Sequence, residues 1–110
     1  GEFRANLRGA DIKLPADAAR NLSLVFHELV TNAIKHGALS RPEGRIEISW
    51  STDDTHLTID WVERGGPHTS PPEQRGFGSR LVAGCVKSLG GKVDAAFPAE
   101  GLECRLQIPH

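Results

Sequence analysis

The chain has 110 residues, which suffices for one domain with a single buried core, and we treat residues 1–110 as one domain. Its composition of 38% hydrophobic and 25% charged residues excludes a disordered segment, and its net charge of -1 excludes a global field that attracts nucleic acid or anionic membrane. Cys85 and Cys104 lack the spacing of a zinc or redox site, which favours reduced thiols in a cytoplasmic domain. Residues 1–3 are typical of a cloning remnant and carry no functional weight.

The first part of the chain predicts two short strands followed by a long helix. Residues 3–8 and 11–14 alternate in polarity and are interpreted as paired strands. From residue 16 to about residue 36, apolar side chains recur at helical spacing, with Pro15 where a helix can begin and Gly37 where it stops. The predicted buried stripe consists of Leu22, Val25, Phe26, Leu29 and Ala33.

The second part predicts a hairpin, an irregular loop, another helix and a final pair of strands. The predicted strands are 45–51, 56–63, 92–97 and 102–108, the helix is 79–89, and the loop rich in proline and glycine is 64–76. Runs of antiparallel strands with helices packed on one face describe an α+β fold. We therefore expect a two-layer α/β sandwich with a mixed, mostly antiparallel sheet.

Three polar residues share a stripe on the predicted long helix. Glu28, Asn32 and Lys35 lie at i, i+4 and i+7, at the rim of the buried face. There an amide oxygen can ligate Mg²⁺, an ammonium can meet phosphate, and a carboxylate can orient or deprotonate a nucleophile. The alternative is a solvated polar face. His27 does not open a zinc-protease HExxH motif, because Thr31 replaces the second histidine, and we assign His27 a structural role.

Two segments that contain glycine follow. In DWVERGGP, the carboxylate of Glu63 ends a predicted strand and can accept from an exocyclic amine, while Gly65 and Gly66 permit close approach of a flat ligand, or mark only a turn. Trp61 is interpreted as a core residue. GFGSRL, residues 76–81, opens the second helix, where backbone N–H groups can crowd a phosphate. It lacks the patterns of a dinucleotide fold and of a P-loop.

The three segments, in this order, resemble the nucleotide-binding boxes of the superfamily of gyrase, Hsp90, histidine kinases and MutL. HELVTNAIKHGALS resembles the asparagine box, WVERGGP the first glycine box and GFGSRL the second. His27 together with Trp61-x-Glu63 is the combination for which the HWE family of sensor kinases is named. The resemblance runs from about residue 14 to residue 109 and implies the ATP-binding catalytic domain of a sensor histidine kinase, with the Bergerat fold.

The resemblance implies a role for each matching residue. Glu28 matches the catalytic carboxylate and Asn32 the Mg²⁺ ligand. Lys35 and His36 match positions near the phosphates of ATP. Glu63 stands where most histidine kinases carry the aspartate that reads adenine.

The remaining expected contacts with ATP come from the glycine boxes. Gly65 and Gly66 would shape the adenine pocket, and residues 68–75 would form a short lid over the phosphates. The second box contributes Gly76, Phe77, Gly78, Ser79 and Leu81 to the expected ATP-binding set.

The implied activity is donation of the γ-phosphoryl group of ATP to a histidine on a dimerisation domain, for relay to a response regulator. The helical hairpin that carries such a histidine is absent from this sequence, so the isolated chain is expected to bind ATP and Mg²⁺ without labelling itself. Two alternatives stay open: a serine kinase of the anti-sigma type, and a degenerate domain that serves only for protein contacts. We expect no contact with nucleic acid or membrane.

Overall fold

A computed structural model of the chain describes residues 5–9, 11–67, 79–96, 98 and 100–109. The strands in these ranges are β1 (Ala5–Arg8), β2 (Arg45–Thr52), β3 (His56–Arg64), β4 (Lys92–Ala96) and β5 (Glu103–Pro109). The helices are α1 (Ala16–Lys35) and α2 (Ser79–Ser88), and a short 3-10 turn spans Ala38–Ser40.

The strands form one sheet in the order β1-β2-β3-β5-β4. β1 runs parallel to β2, and every other neighbouring pair is antiparallel. Both helices contribute buried side chains to one core on a single face of the sheet. The predicted α+β sandwich, with its mixed and mostly antiparallel sheet, is therefore confirmed.

The prediction of a strand at residues 11–14 was wrong. Those residues have no regular structure, and β1 pairs with β2 rather than with the segment that follows it. A parallel pair requires a crossover, so the chain leaving β1 must pass from the sheet layer to the start of α1. Alternation of polarity along residues 11–14 reflects only that Ile12 packs against the core while its neighbours are exposed.

α1 follows the predicted apolar stripe closely. Leu22, Val25, Leu29 and Ala33 are buried, and Phe26 packs partly buried against them. The helix ends at Lys35, and Gly37, two residues later, donates its N–H to the carbonyls of residues 32 and 33. No helix in the described ranges is long and apolar enough to cross a membrane.

The hairpin of β2 and β3 forms as predicted, and Asp53 organises its turn. The Asp53 carboxylate accepts from the backbone N–H groups of Thr55 and His56, at 2.8 and 2.7 Å. The Thr55 N–H, followed by the other donors, holds the pKa of this exposed carboxyl below its usual range. Such Asx-type bonds fix the turn and hence the register of the two strands.

The sheet buries alternate residues on the face towards the helices. On β3 these residues are Leu57, Ile59, Trp61 and Glu63, and on β5 they are Cys104, Leu106 and Ile108. Burial raises the pKa of the Cys104 thiol to about 12, with Asp60 adding to the effect, so this thiol stays protonated at neutral pH.

We predict that Leu29→Ala lowers the free energy of unfolding by about 2–5 kcal/mol, because it leaves a cavity at a fully buried position of α1. Leu24→Ala is the matched control on the same helix, where the side chain is 45% exposed, and should change stability by less than about 0.5 kcal/mol. Urea unfolding measures both. If both variants lost the same free energy of unfolding, the assignment of Leu29 to the buried face of α1 would be contradicted.

Candidate functional site

The predicted polar stripe on α1 runs from solvent into the protein. Asn32 is only 4% exposed, Glu28 is half-buried and Lys35 is exposed. The flank of α1 that carries them lies roughly opposite, around the helix, to the flank that carries Phe26 and Val30. The flank with Phe26 and Val30 faces β1 and β2, at one edge of the sheet. Helix α2 packs near β4, at the opposite edge. The polar stripe, on the other side of α1, therefore faces α2.

Asn32 has an unusual hydrogen-bonding state for a buried residue. Its side-chain Nδ2 is buried and has no hydrogen-bond partner among the described residues. An unsatisfied buried amide costs about 1–3 kcal/mol, so folded proteins retain few of them. Within the described ranges this donor is therefore unpaired, and rotation of the amide exchanges the positions of its oxygen and its nitrogen.

Glu63 is a buried carboxylate that joins two segments of the chain. It is 1% exposed, and its Oε1 accepts from the backbone N–H of Ala38 at 2.9 Å. Its Oε2 accepts from the indole Nε1–H of Trp61 at 2.8 Å. The end of β3 is thereby bonded to the turn that follows α1.

The glycines around this carboxylate permit close backbone contact. A Cβ on Gly66 would lie 2.6 Å from Cα of Ala38, and one on Gly65, whose φ is 79°, would lie 2.6 Å from the carbonyl oxygen of Glu43. A Cβ on Gly37 would collide with the Glu63 carboxylate. Gly66 is thus required by the packing of the β3 end against the turn after α1, and Gly65 by its packing against the segment that precedes β2, whatever they contribute to a ligand.

The structure brings the residues of the first two predicted boxes to one end of the molecule. Lys35 and His36 end α1 as exposed residues, one turn after Asn32. His36 donates its backbone N–H to the Asn32 carbonyl, and Ala38 carries the bond to Glu63. A chain of hydrogen bonds through His36 and Ala38 therefore connects the end of α1 to the end of β3. This region contains Asn32, Lys35, His36 and Glu63.

The second glycine box is described only from its last part. Ser79 is the first residue of α2, and Leu81 on the same helix is 42% exposed. Gly76, Phe77 and Gly78, with the expected lid at residues 68–75, lie outside the described residues.

Two features of the site were not anticipated from sequence. Trp61 was expected to be a core residue, and it is 1% exposed, yet its indole N–H also donates to Glu63. The available signal was the spacing of two, which puts both side chains on one face of a strand. The role of Ala38 had no signal, because it donates through its backbone. His27, to which a structural role was assigned, is exposed on α1.

An apolar groove of about 520 Å³ lies away from this arrangement. It is bounded by α1, the segment before it and β1 to β3, with Phe26, Ile48 and Trp50 among its lining residues. None of the residues predicted to bind a ligand lines it. This groove therefore does not mark the candidate site, because its polar lining residues are Asp11 and Ser23, which offer no cationic partner to an anionic ligand.

Comparison with known proteins assigns the chain to a family. The sequence pattern of the histidine kinase-like ATPase domain matches residues 2–101, which is most of the chain. The chain belongs to the histidine kinase-like ATPase domain family.

Curated relatives of this ATPase domain are histidine kinases. The chain is 40% identical over 109 residues to blue-light-activated histidine kinase 1 of Erythrobacter litoralis, covering 96% of this chain and 30% of that protein. It is 39% identical over 109 residues to the blue-light-activated histidine kinase of Rhizobium johnstonii, covering 96% and 32%. The chain thus spans about a third of the length of these relatives.

Solved structures similar to this ATPase domain share its fold. The histidine kinase domain of the Erythrobacter litoralis blue-light activated kinase superposes with a TM-score of 0.81 at 23% identity, covering 99% of this chain and 55% of that one. The catalytic domain of histidine kinase ThkA superposes with a TM-score of 0.73 at 21% identity, covering 96% and 78%.

We predict that Gly66→Ala destabilises the domain by about 1–3 kcal/mol, because the added methyl group meets backbone atoms of Ala38 that have no room to move. Gly84→Ala is the matched control, since a Cβ there meets nothing within 4 Å on α2, and it should stabilise by about 0.4–1 kcal/mol. Thermal unfolding of the two variants checks the sign of each change. If Gly66→Ala left thermal stability unchanged, the close packing of Gly66 against the backbone of Ala38 would be contradicted.

Proposed function

We propose that this domain binds ATP with Mg²⁺ at the flank of α1 that faces α2. In the longer protein it donates the γ-phosphoryl group to a histidine on a dimerisation domain, for transfer to a response regulator. The observation that carries the proposal is the buried Asn32 Nδ2, which has no hydrogen-bond partner in the part of the chain that the structure describes, on a helix flank that also carries Glu28 and Lys35. The names of the curated relatives support a histidine acceptor over the serine of an anti-sigma kinase.

Asn32 is the residue proposed to hold Mg²⁺. An amide oxygen is a hard ligand of the kind this ion prefers, and Mg²⁺ commonly takes one or two protein ligands together with substrate phosphates and water. Bound Mg²⁺ would neutralise the charge that develops on the transferred group. The ligand of Mg²⁺ would be the side-chain Oδ1, while Nδ2, which has no partner among the described residues, would donate to a phosphate oxygen of the same nucleotide.

The end of α1 supplies cationic and polar groups for the phosphates. Lys35 and His36 are exposed there, one turn beyond Asn32. A lysine ammonium is a compact point charge suited to phosphate. The glycines of the second box, together with Ser79 at the N-terminus of α2, are proposed to complete the phosphate site through their backbone N–H groups.

Glu28 is proposed to act on the acceptor histidine. It lies one turn before Asn32 and is half-buried, so it borders the same flank while still reaching solvent. A carboxylate there can accept the proton of an approaching imidazole N–H and so raise the nucleophilicity of the other ring nitrogen. Most of the remaining catalysis would be positioning and charge stabilisation.

Glu63 is proposed to read the adenine. A carboxylate has about four acceptor positions, and the bonds from Ala38 and Trp61 use two of them. The exocyclic amine of adenine is a donor that matches the rest. Gly66 keeps the backbone at this end of β3 close to the turn after α1, and Gly65 keeps it close to the segment that precedes β2, which confines the pocket on one side.

We predict that Asn32→Ala weakens ATP binding about tenfold or more and abolishes its dependence on Mg²⁺, because a bond to a charged ligand is lost. The same substitution should leave stability unchanged or raise it, since it removes a buried Nδ2 donor that no described residue satisfies. Calorimetric titration with a non-hydrolysable ATP analogue, with and without Mg²⁺, measures the first effect, and urea unfolding the second.

Asn21→Ala is the control for this experiment. Asn21 lies on α1, and its side chain already donates to the carbonyl of Asp17 at 3.1 Å, away from the proposed site. It should bind the analogue as the unaltered chain does. Retained Mg²⁺-dependent binding in Asn32→Ala would contradict the assignment of the metal ligand, and absence of binding by the unaltered chain would contradict the proposed function.

A further inference from the structure

Glu63 poses a positioning problem for the recognition of a base. Its side chain has one more rotatable bond than an aspartate would have at the same position. Immobilising a glutamate costs about 1.5–2 kcal/mol of rotamer entropy, and this cost falls on ligand binding unless the free protein has already fixed the side chain. In this domain the carboxylate is already held, because each of its oxygens accepts one hydrogen bond within the protein.

Of the two donors, Trp61 is the one that depends on a side chain. Its position is fixed by the core: it is 1% exposed, and its ring lies 6.2 Å from that of Phe26 on α1. Trp61 and Glu63 are two residues apart on β3, so both side chains lie on the face towards the helices. The indole N–H therefore meets Oε2 at 2.8 Å without any distortion of the strand.

We propose that Trp61 is a positioning residue for adenine recognition, which acts by holding the Glu63 carboxylate in the orientation that accepts from the exocyclic amine. This proposal rests on the proposed function, in which Glu63 reads adenine. Trp61 does not touch the nucleotide. Its indole N–H fixes the Glu63 carboxylate before the nucleotide binds, so the additional rotatable bond of glutamate adds no entropy cost to binding. The spacing of two residues between Trp61 and Glu63 on one strand makes this bond possible.

A purely structural role for Trp61 makes a different prediction. If Trp61 only fills the core, its loss destabilises the domain and weakens every nucleotide alike. If it positions Glu63, its loss weakens the ligand that carries the exocyclic amine more than a ligand that lacks it. The two roles are distinguished by the ratio of the dissociation constant of the ligand without the amine to that of the ligand with it, because an effect that weakens both ligands equally cancels in this ratio.

The experiment measures Mg²⁺-dependent binding of ATP and of purine riboside 5′-triphosphate, which lacks the 6-amino group. The unaltered chain should prefer ATP. Trp61→Phe keeps an aromatic ring but removes the donor, and should reduce this preference about fivefold, the worth of one net hydrogen bond, with most of the change in ATP binding. Trp50→Phe, the same change at the chain's other tryptophan, should retain the preference.

A second variant separates the loss of the donor from the loss of ring volume. In the Trp50→Phe background, Trp61 is replaced by 3-benzothienylalanine, in which sulfur takes the place of the indole N–H and the bicyclic shape is kept. The preference for ATP should fall here as well, although stability stays closer to that of the background. Such a result would show that the N–H, rather than the volume of the ring, is responsible.

The outcomes are distinct. An unchanged or increased preference for ATP in both Trp61 variants overturns the positioning role. An unaltered chain that binds both nucleotides equally also overturns it, because Glu63 then does not read the amine, although binding of ATP stands. An unaltered chain that binds neither nucleotide overturns the proposed function itself.

Discussion

A buried carboxylate needs hydrogen-bond donors, and the way Glu63 finds them organises one end of this domain. One donor is the Ala38 backbone N–H, which belongs to the turn after α1, and the other is the indole of Trp61 on β3. The backbone segments approach closely enough for these bonds because Gly37 and Gly66 have no side chains to separate them. The orientation of the end of α1 relative to the sheet, and with it the position of its polar residues, depends on this link.

The two flanks of α1 have separate tasks. Between them, the stripe that includes Leu22, Val25 and Leu29 packs on the sheet and holds the helix in place. One flank borders an apolar groove, while the other carries Glu28 and the Asn32 amide, whose Nδ2 has no partner among the residues described. A helix anchored by a fully apolar stripe can tolerate one unsatisfied buried amide, because burial of a single leucine contributes a comparable free energy of about 1.5–3 kcal/mol. In the proposed function, stability and ligand binding therefore rest on different residues of the same helix.

Much of the fold could be predicted because its signals are local. The apolar period of α1 and the alternation in β2 and β3 are set by neighbouring residues, and Asn32 was placed at the rim of the buried face by its spacing alone. The failure at residues 11–14 concerned pairing: local alternation cannot show that β1 pairs with β2, which begins far along the chain. The bond between Glu63 and Ala38, 25 residues apart, was also beyond prediction, because a backbone donor has no sequence signature.

The most direct test of this account is a crystal structure of the chain with a non-hydrolysable ATP analogue and Mg²⁺. The account predicts an adenine amine within hydrogen-bond distance of the Glu63 carboxylate, which still accepts from Trp61, and a magnesium ion bound by the Asn32 side-chain oxygen between the protein and the phosphates. A nucleotide lodged in the apolar groove beside Phe26, or one bound beyond reach of both Asn32 and Glu63, would contradict it.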